Sequence, residues 1–191
     1  EAEAIMDITG LAAVGLILIL VVFLVIIFNN LVRGRLGVRE GWSGIEVQLQ
    51  RRASLIPNLV ETVRGYAGHE QQTLQNVTNA RAALQSASTP ADAAQASNML
   101  TSTLRSLFAV AEAYPDLKAN QNFQDLQRQL ADTEDKISYA RNYYNAKALQ
   151  YNSLVSTFPS LLVAGVGGFK EVQFFDAPEA AEQDVNVSFR G

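Results

Sequence analysis

The sequence predicts an all-α protein in which an N-terminal transmembrane helix is followed by an antiparallel four-helix bundle with an extended C-terminal tail. Three observations carry that expectation. Residues 8–28 form an apolar run without a charge, and almost everything after them repeats apolar residues at steps of three and four. Glycine and proline interrupt that stepping at only a few places.

The apolar run, "ITGLAAVGLILILVVFLVIIF", is long enough to cross roughly 30 Å of hydrocarbon as a helix. It is too long for a signal peptide, lacks a small-residue cleavage site, and has its basic residues after it rather than before. Glu1, Glu3 and Asp7 precede the span, whereas Arg33, Arg35 and Arg39 follow it. The positive-inside tendency therefore places the N-terminus outside and the bulk of the chain in the cytoplasm. Met6 opens "MDITG", so "EAEAI" reads as a remnant of processing or cloning, and removing it leaves the arginine asymmetry intact.

Beyond the span, Ile45, Leu49, Ala53, Ile56, Val60 and Val63 form one helical stripe, and Leu74, Val77 and Leu84 form a second. The two read as separate helices broken near Gly65 and Gly68. One unbroken helix from residue 30 to 86 would extend roughly 80 Å and strand long apolar stripes without partners. Pro57 removes the bond to the Ala53 carbonyl and bends the first helix. "SASTPAD" gives a loop and a new helix start, followed by the stripe Ala96, Leu100, Leu104, Leu107 and Ala111. "YPDLK" turns the chain again, and a long last helix runs from Phe123 to Phe158, where Pro159 ends it. The expected divisions are thus a short N-terminus at 1–7, a span at 8–28, a helical bundle at 29–158, and an apolar loop with an extended tail at 159–191. In that tail "EVQFF" and "VNVSF" are β-prone.

Little reaction chemistry is present. With no cysteine and one histidine, thiolate chemistry is excluded and His69-Glu70 lacks the second histidine that a zincin helix requires. "ADTEDK" places Asp132 and Lys136 at i,i+4, the spacing of an ordinary surface ion pair. A formal net charge of −4 gives no electrostatic reason to bind nucleic acid. No catalytic residue, cofactor or metal site is expected. Arg51 and Arg52 have two readings: a grip on an anionic partner, or pairing with last-helix carboxylates such as Asp132 or Asp135. Tyr144 and Tyr151 fall on the core phase, leaving Tyr139 and Tyr143 as an exposed pair for a protein contact.

The strings "GWSGIEVQLQRRASLIPNLVETVRGYAGHE", "AEAYPDLKANQNFQDLQRQLADTEDKISYARNYYNAKALQYNSLVSTFP", "FKEVQFF" and "VNVSF" together resemble the LemA family of bacterial membrane-anchored proteins. The resemblance covers nearly the whole chain and implies a bromodomain-like four-helix bundle of LemA type behind one N-terminal span. It supplies no reaction; a magnetosome membrane protein among the family's relatives implies a link to membrane organisation. The chain departs from the family pattern at Gly34, Gly37, Gly41 and Gly44 and at "FPSLLVAG".

The function expected is a non-enzymatic, single-pass scaffold or adaptor of the bacterial inner membrane. Its partners are the lipid bilayer, further copies of itself as a homo-oligomer, and a membrane-protein partner, with no nucleic acid. Gly34, Gly37, Gly41 and Gly44 share one helical face below the span, suited to close packing between neighbouring helices or, on the other reading, to a flexible neck. Phe158, Leu161, Leu162, Val163, Val166 and Phe169 form a membrane-proximal apolar loop, too short to cross and suited to the interface or to a subunit contact. The rival reading is an accessory or regulatory subunit of a membrane-associated hydrolase or protease.

Overall fold

The computed structural model describes residues 2–175, with side chains from Gly10 onward. Its helices are α1 (Ala2–Arg64), α2 (Gln71–Ser86), α3 (Pro90–Ala111), α4 (Pro115–Ala119), α5 (Gln121–Ser156) and α6 (Ser160–Gly167). No strand occurs among the described residues. The chain divides into two units, to both of which α1 and α5 contribute. One takes α1 up to Arg39 and the segment from Ala146 to Val172; the other takes Glu40 to Asn145 and the chain from Gln173.

The second unit holds the larger core. All six residues of the first stripe, Ile45 to Val63, are buried, as are Leu74, Val77 and Leu84 of α2 and Leu100, Leu104 and Leu107 of α3. Burial of each of the larger aliphatic side chains is worth about 1.5–3 kcal/mol, the term that offsets the chain entropy. The break at Gly65–Gly68 is real: α1 ends at Arg64, and Ala67 is fully buried within the turn, its amide bonded to the Val63 carbonyl at 2.8 Å. At Gly68 a Cβ would stand 3.2 Å from the Arg64 carbonyl oxygen, a tight approach that glycine avoids. Tyr66 accepts from Asn120 Nδ2 at 2.9 Å and Tyr114 donates to Glu70 at 3.2 Å, so the turn is tied to both ends of α4.

Helix starts follow local chemistry. Thr89 accepts from the Asp92 amide at 3.1 Å, with Pro90 in the first turn of α3. Asn120 Oδ1 caps α5 through the Phe123 amide at 3.1 Å. α1 continues through Pro57, and the Ala53 carbonyl that Pro57 cannot serve accepts from Arg81 Nε of α2 at 3.0 Å.

Two expectations need correction. The last long helix stops at Ser156, short of Phe158, which is 78% exposed; the residue before Pro159 is disfavoured in the helical region. The segment expected as an apolar loop winds into α6, because "SLLVAGVG" contains no breaker before its glycines. "EVQFF" forms no strand: the amides and carbonyls of Val172 and Phe175 are instead satisfied by asparagine side chains of α5. "VNVSF" lies outside the described residues.

Candidate functional site

In the first unit, α1 carries its apolar run almost bare. Leu11, Leu16, Leu18, Ile19 and the large residues through Ile26 are exposed, and cover begins with Ile27, Leu31 and Val38. A helix so long and apolar meets the requirement for crossing a membrane. Opposite its end stands α6. Gly168 takes a left-handed φ of 68° and lets the chain double back, so that the Phe169 amide reaches the Ala164 carbonyl at 3.0 Å. Phe169 then meets Phe28 edge-on, with ring centres 5.6 Å apart. Gly167 makes this contact feasible, since a Cβ there would lie 2.7 Å from the Phe169 ring.

Phe169 is buried and Val163 half-buried, while Leu161, Leu162 and Val166 are exposed, Val166 at 95%. Leu24, Val25 and Phe28 face Leu162, Val163, Val166 and Gly167 across an almost wholly apolar groove of about 520 Å³. The segment after α6 is fixed by Asn152, which donates to the Val172 carbonyl and accepts from its amide, both at 2.9 Å. Arg33, Arg35 and Lys170 are exposed at this end of the unit.

Three of the four neck glycines face α5 of the same chain, and two of them, Gly34 and Gly41, approach it closely. In the first unit a Cβ at Gly34 would stand 3.2 Å from the Tyr151 ring and one at Gly37 3.5 Å from the Lys147 stem. In the second, a Cβ at Gly41 would stand 3.0 Å from Tyr144 Cα, a backbone atom. This intramolecular packing offsets the cost of about 1 kcal/mol that glycine imposes on a helix interior. Gly44 differs: no atom lies within 4 Å of the position its Cβ would take.

Also in the second unit, Arg52 is only 3% exposed. Its Nη1 lies 2.7 Å from Glu134 Oε2 and 3.3 Å from Ser97 Oγ, and its Nη2 donates to Thr101 Oγ1 at 3.0 Å. The Glu134 contact is close but lacks hydrogen-bond alignment, and Nε finds no acceptor among the described residues. Burial lowers the pKa of the guanidinium, opposed by Glu134. Arg51 faces Asp132 at 3.6 Å with both side chains nearly half exposed. The arginines thus meet α5 carboxylates, with Glu134 in the place expected for Asp135. Lys136 bonds Asp132 at 2.8 Å and holds its carboxyl below the usual range.

Tyr144 is buried beside Trp42, with ring centres 5.8 Å apart, and its hydroxyl donates to the Gln173 carbonyl at 2.6 Å. Burial raises its pKa. Tyr139 is 77% exposed and Tyr143 38%; both line a groove with Glu40, Gly41, Gly44 and Gln48. Asn145 holds Phe175 as Asn152 holds Val172, by two bonds of 2.9 Å. Sequence reading missed both asparagines. Their signal was a pair of poor helix formers seven residues apart within a long apolar stripe.

His69 is exposed in the turn between α1 and α2. Among the described residues no group of three or more histidines, cysteines or carboxylates is placed to hold a metal ion.

The model of the LemA family matches residues 41–189. Protein LemA of Metamycoplasma hominis is 27% identical over 164 residues, covering 84% of this chain and 74% of its own length. Magnetosome protein MamQ of Magnetospirillum gryphiswaldense is 24% identical over 169 residues, covering 75% of this chain. Magnetosome protein MamQ 1 of Paramagnetospirillum magneticum gives the same figures. The match spans 62% of the length of each of these magnetosome proteins. None of these names states a catalytic activity.

Proposed function

The chain belongs to the LemA family, and on that premise we propose that it is a non-enzymatic, single-pass membrane scaffold that self-assembles and helps to organise the membrane that holds it. One observation carries the reading: the apolar residues of α1 through Ile26 have almost no protein around them, while the same helix supplies the buried stripe from Ile45 to Val63. Apolar surface of that extent needs a solvent other than water. The arginines after the span support a cytoplasmic bundle at a bacterial inner membrane. The likeness to proteins named for the magnetosome supports the part in membrane organisation.

An antiparallel four-helix bundle is the arrangement we propose for the second unit. Gly41 approaches Tyr144 while Arg52 meets Glu134, so numbers fall along α5 as they rise along α1. Arg81 bonding Ala53 relates α2 to α1, and α2 packs on α3. Gly44 and Tyr139, which line one open groove, support self-association there through a second copy of the chain.

Membrane insertion and orientation are tested together. After carbonate extraction the full chain should stay with the membrane, and protease added to spheroplasts should spare everything beyond Arg33. Release into the carbonate supernatant, or digestion of the bundle from outside, would overturn the reading.

A further inference from the structure

We infer that the groove between α1 and α6 is a lipid site, taking an acyl chain of an anionic phospholipid with the phosphate held by Lys170 and Arg35. The inference rests on the reading of α1 as a membrane span and names what occupies the surface beside its inner end. Both walls belong to one unit, and seven residues line the space without a charge: Leu24, Val25 and Phe28 from α1, with Leu162, Val163, Val166 and Gly167 from the α6 side. A volume of about 520 Å³ lies within the range of small-molecule sites, roughly 300–1,000 Å³.

Position selects the occupant. Leu24, Val25 and Phe28 are the last turns of the uncharged run, so the groove opens where hydrocarbon gives way to headgroups. An exposure of 95% at Val166 and 63% at Leu162 is costly against water and costs nothing against acyl chains. One wall is fixed in place: Gly167 and the left-handed Gly168 let Phe169 pack on Phe28, which lines the groove.

Charge selects the headgroup. Lys170 follows Phe169 directly and is exposed. Arg35 lies seven residues beyond Phe28, which returns it to the same face of α1 about 10 Å further along, and it too is exposed. No carboxylate lies on α6 or between it and Lys170; the first acid that follows is Glu171. Two exposed cations, each on the continuation of one wall of an apolar slot, complement a phosphodiester joined to an acyl chain. A neutral zwitterionic lipid would fill the slot equally but gain less from the cations.

The chain has no cysteine, so Val166→Cys gives a unique labelling site. The full chain, labelled there with a small fluorophore, is placed in vesicles holding equal phosphatidylglycerol and phosphatidylcholine, one of the two brominated in turn. Brominated phosphatidylglycerol should quench preferentially, with an enrichment of about fivefold for each cation engaged. Lys170→Gln with Arg35→Gln should bring the two lipids level while the fluorophore stays in an apolar environment. Equal quenching by both lipids in the unsubstituted background overturns the site yet leaves the membrane span standing, because the label remains quenched. A label quenched by neither lipid while the chain resists carbonate extraction also overturns it, and disulfide-linked dimers of the unlabelled Val166→Cys variant would then assign the groove to a second copy. Loss of the chain from the vesicles altogether removes the span and the site with it. Native mass spectrometry gives an independent check: phosphatidylglycerol should be retained on the wild type and lost from Leu162→Gln with Val166→Gln.

Discussion

Arg52 supplies the most demanding test of how the second unit is held together. Its guanidinium is 3% exposed, yet its ion-pair partner Glu134 is 47% exposed and poorly aligned, and Nε goes unanswered among the described residues. Desolvation of such a charge costs several kcal/mol, and a half-exposed carboxylate returns only part of it. The side chain is nonetheless withdrawn from water along its length, and two hydroxyls accept from its nitrogens. Arg52→Ala should therefore cost about 3 kcal/mol, mostly cavity and lost hydrogen bonds, or a fall of roughly 6–12 °C in Tm. Arg52→Met keeps the stem and deletes the charge. Glu134 can rehydrate, and Thr101 retains its own bond to the Ser97 carbonyl at 3.0 Å, so the methionine variant should lie within about 1 kcal/mol of wild type or above it. The sole tryptophan, Trp42, reports unfolding through its packing on Tyr144 and Phe175. If Arg52→Met loses as much as Arg52→Ala, the charge itself stabilises the fold and the desolvation reasoning is wrong.

Other outcomes follow from the same geometry. Gly44→Ala should gain about 0.8 kcal/mol from helix propensity because its Cβ meets nothing, whereas Gly41→Leu should lose about 2 kcal/mol against the Tyr144 backbone; thermal melts that rank them the other way refute the intrachain contact. Gly44→Leu should dissociate the assembly seen by native mass spectrometry, and an unchanged assembly would remove that groove from the proposed interface. Lys136 lowers the folded pKa of Asp132, so the pair stabilises above the ordinary carboxylate value near 3.9 and loses that contribution as pH falls through the lower folded value. Lys136→Met should flatten that part of the stability profile, and an unaltered acid limb would show that the pair contributes nothing. A fluorophore at Leu162→Cys should report an apolar environment in membranes, and a fully aqueous spectrum would place α6 away from the bilayer.

Much of the helical layout was legible because its signal is periodic and long. Every residue named in the first three stripes is buried, since a wrong phase would turn an entire face to water. The break after Arg64 was equally legible, because Gly65 and Gly68 are poor helix residues within three positions of each other. What failed was short. An eight-residue apolar segment such as α6 has no periodicity that separates helix from loop, and its helical end is marked only by the left-handed Gly168 cap. "EVQFF" is β-prone and runs extended without a strand partner, because β-propensity describes a residue and not the partner that will satisfy its backbone.

The candidate site divides along the same line. Four glycines on one helical face announce close approach, but nothing in a one-dimensional pattern says whether the approaching helix belongs to the same chain. Three of them meet α5 and only Gly44 is left facing open space, a distinction that exists only once Tyr144 and Tyr151 have coordinates. The backbone deficit at Ala53 shows the relation most clearly. Pro57 fixes, from sequence alone, that one carbonyl of α1 will lack its helical donor. A buried carbonyl left unpaired costs roughly 1–3 kcal/mol, so a donor must come from elsewhere in the fold or the helix must be wet at that point. Arg81, on α2 and 28 residues away, supplies it at 3.0 Å through Nε, with a side chain half withdrawn from solvent. The proline therefore does more than shape α1: by exposing an acceptor it gives α2 a polar registration point, in a surface where apolar stripes alone would tolerate sliding.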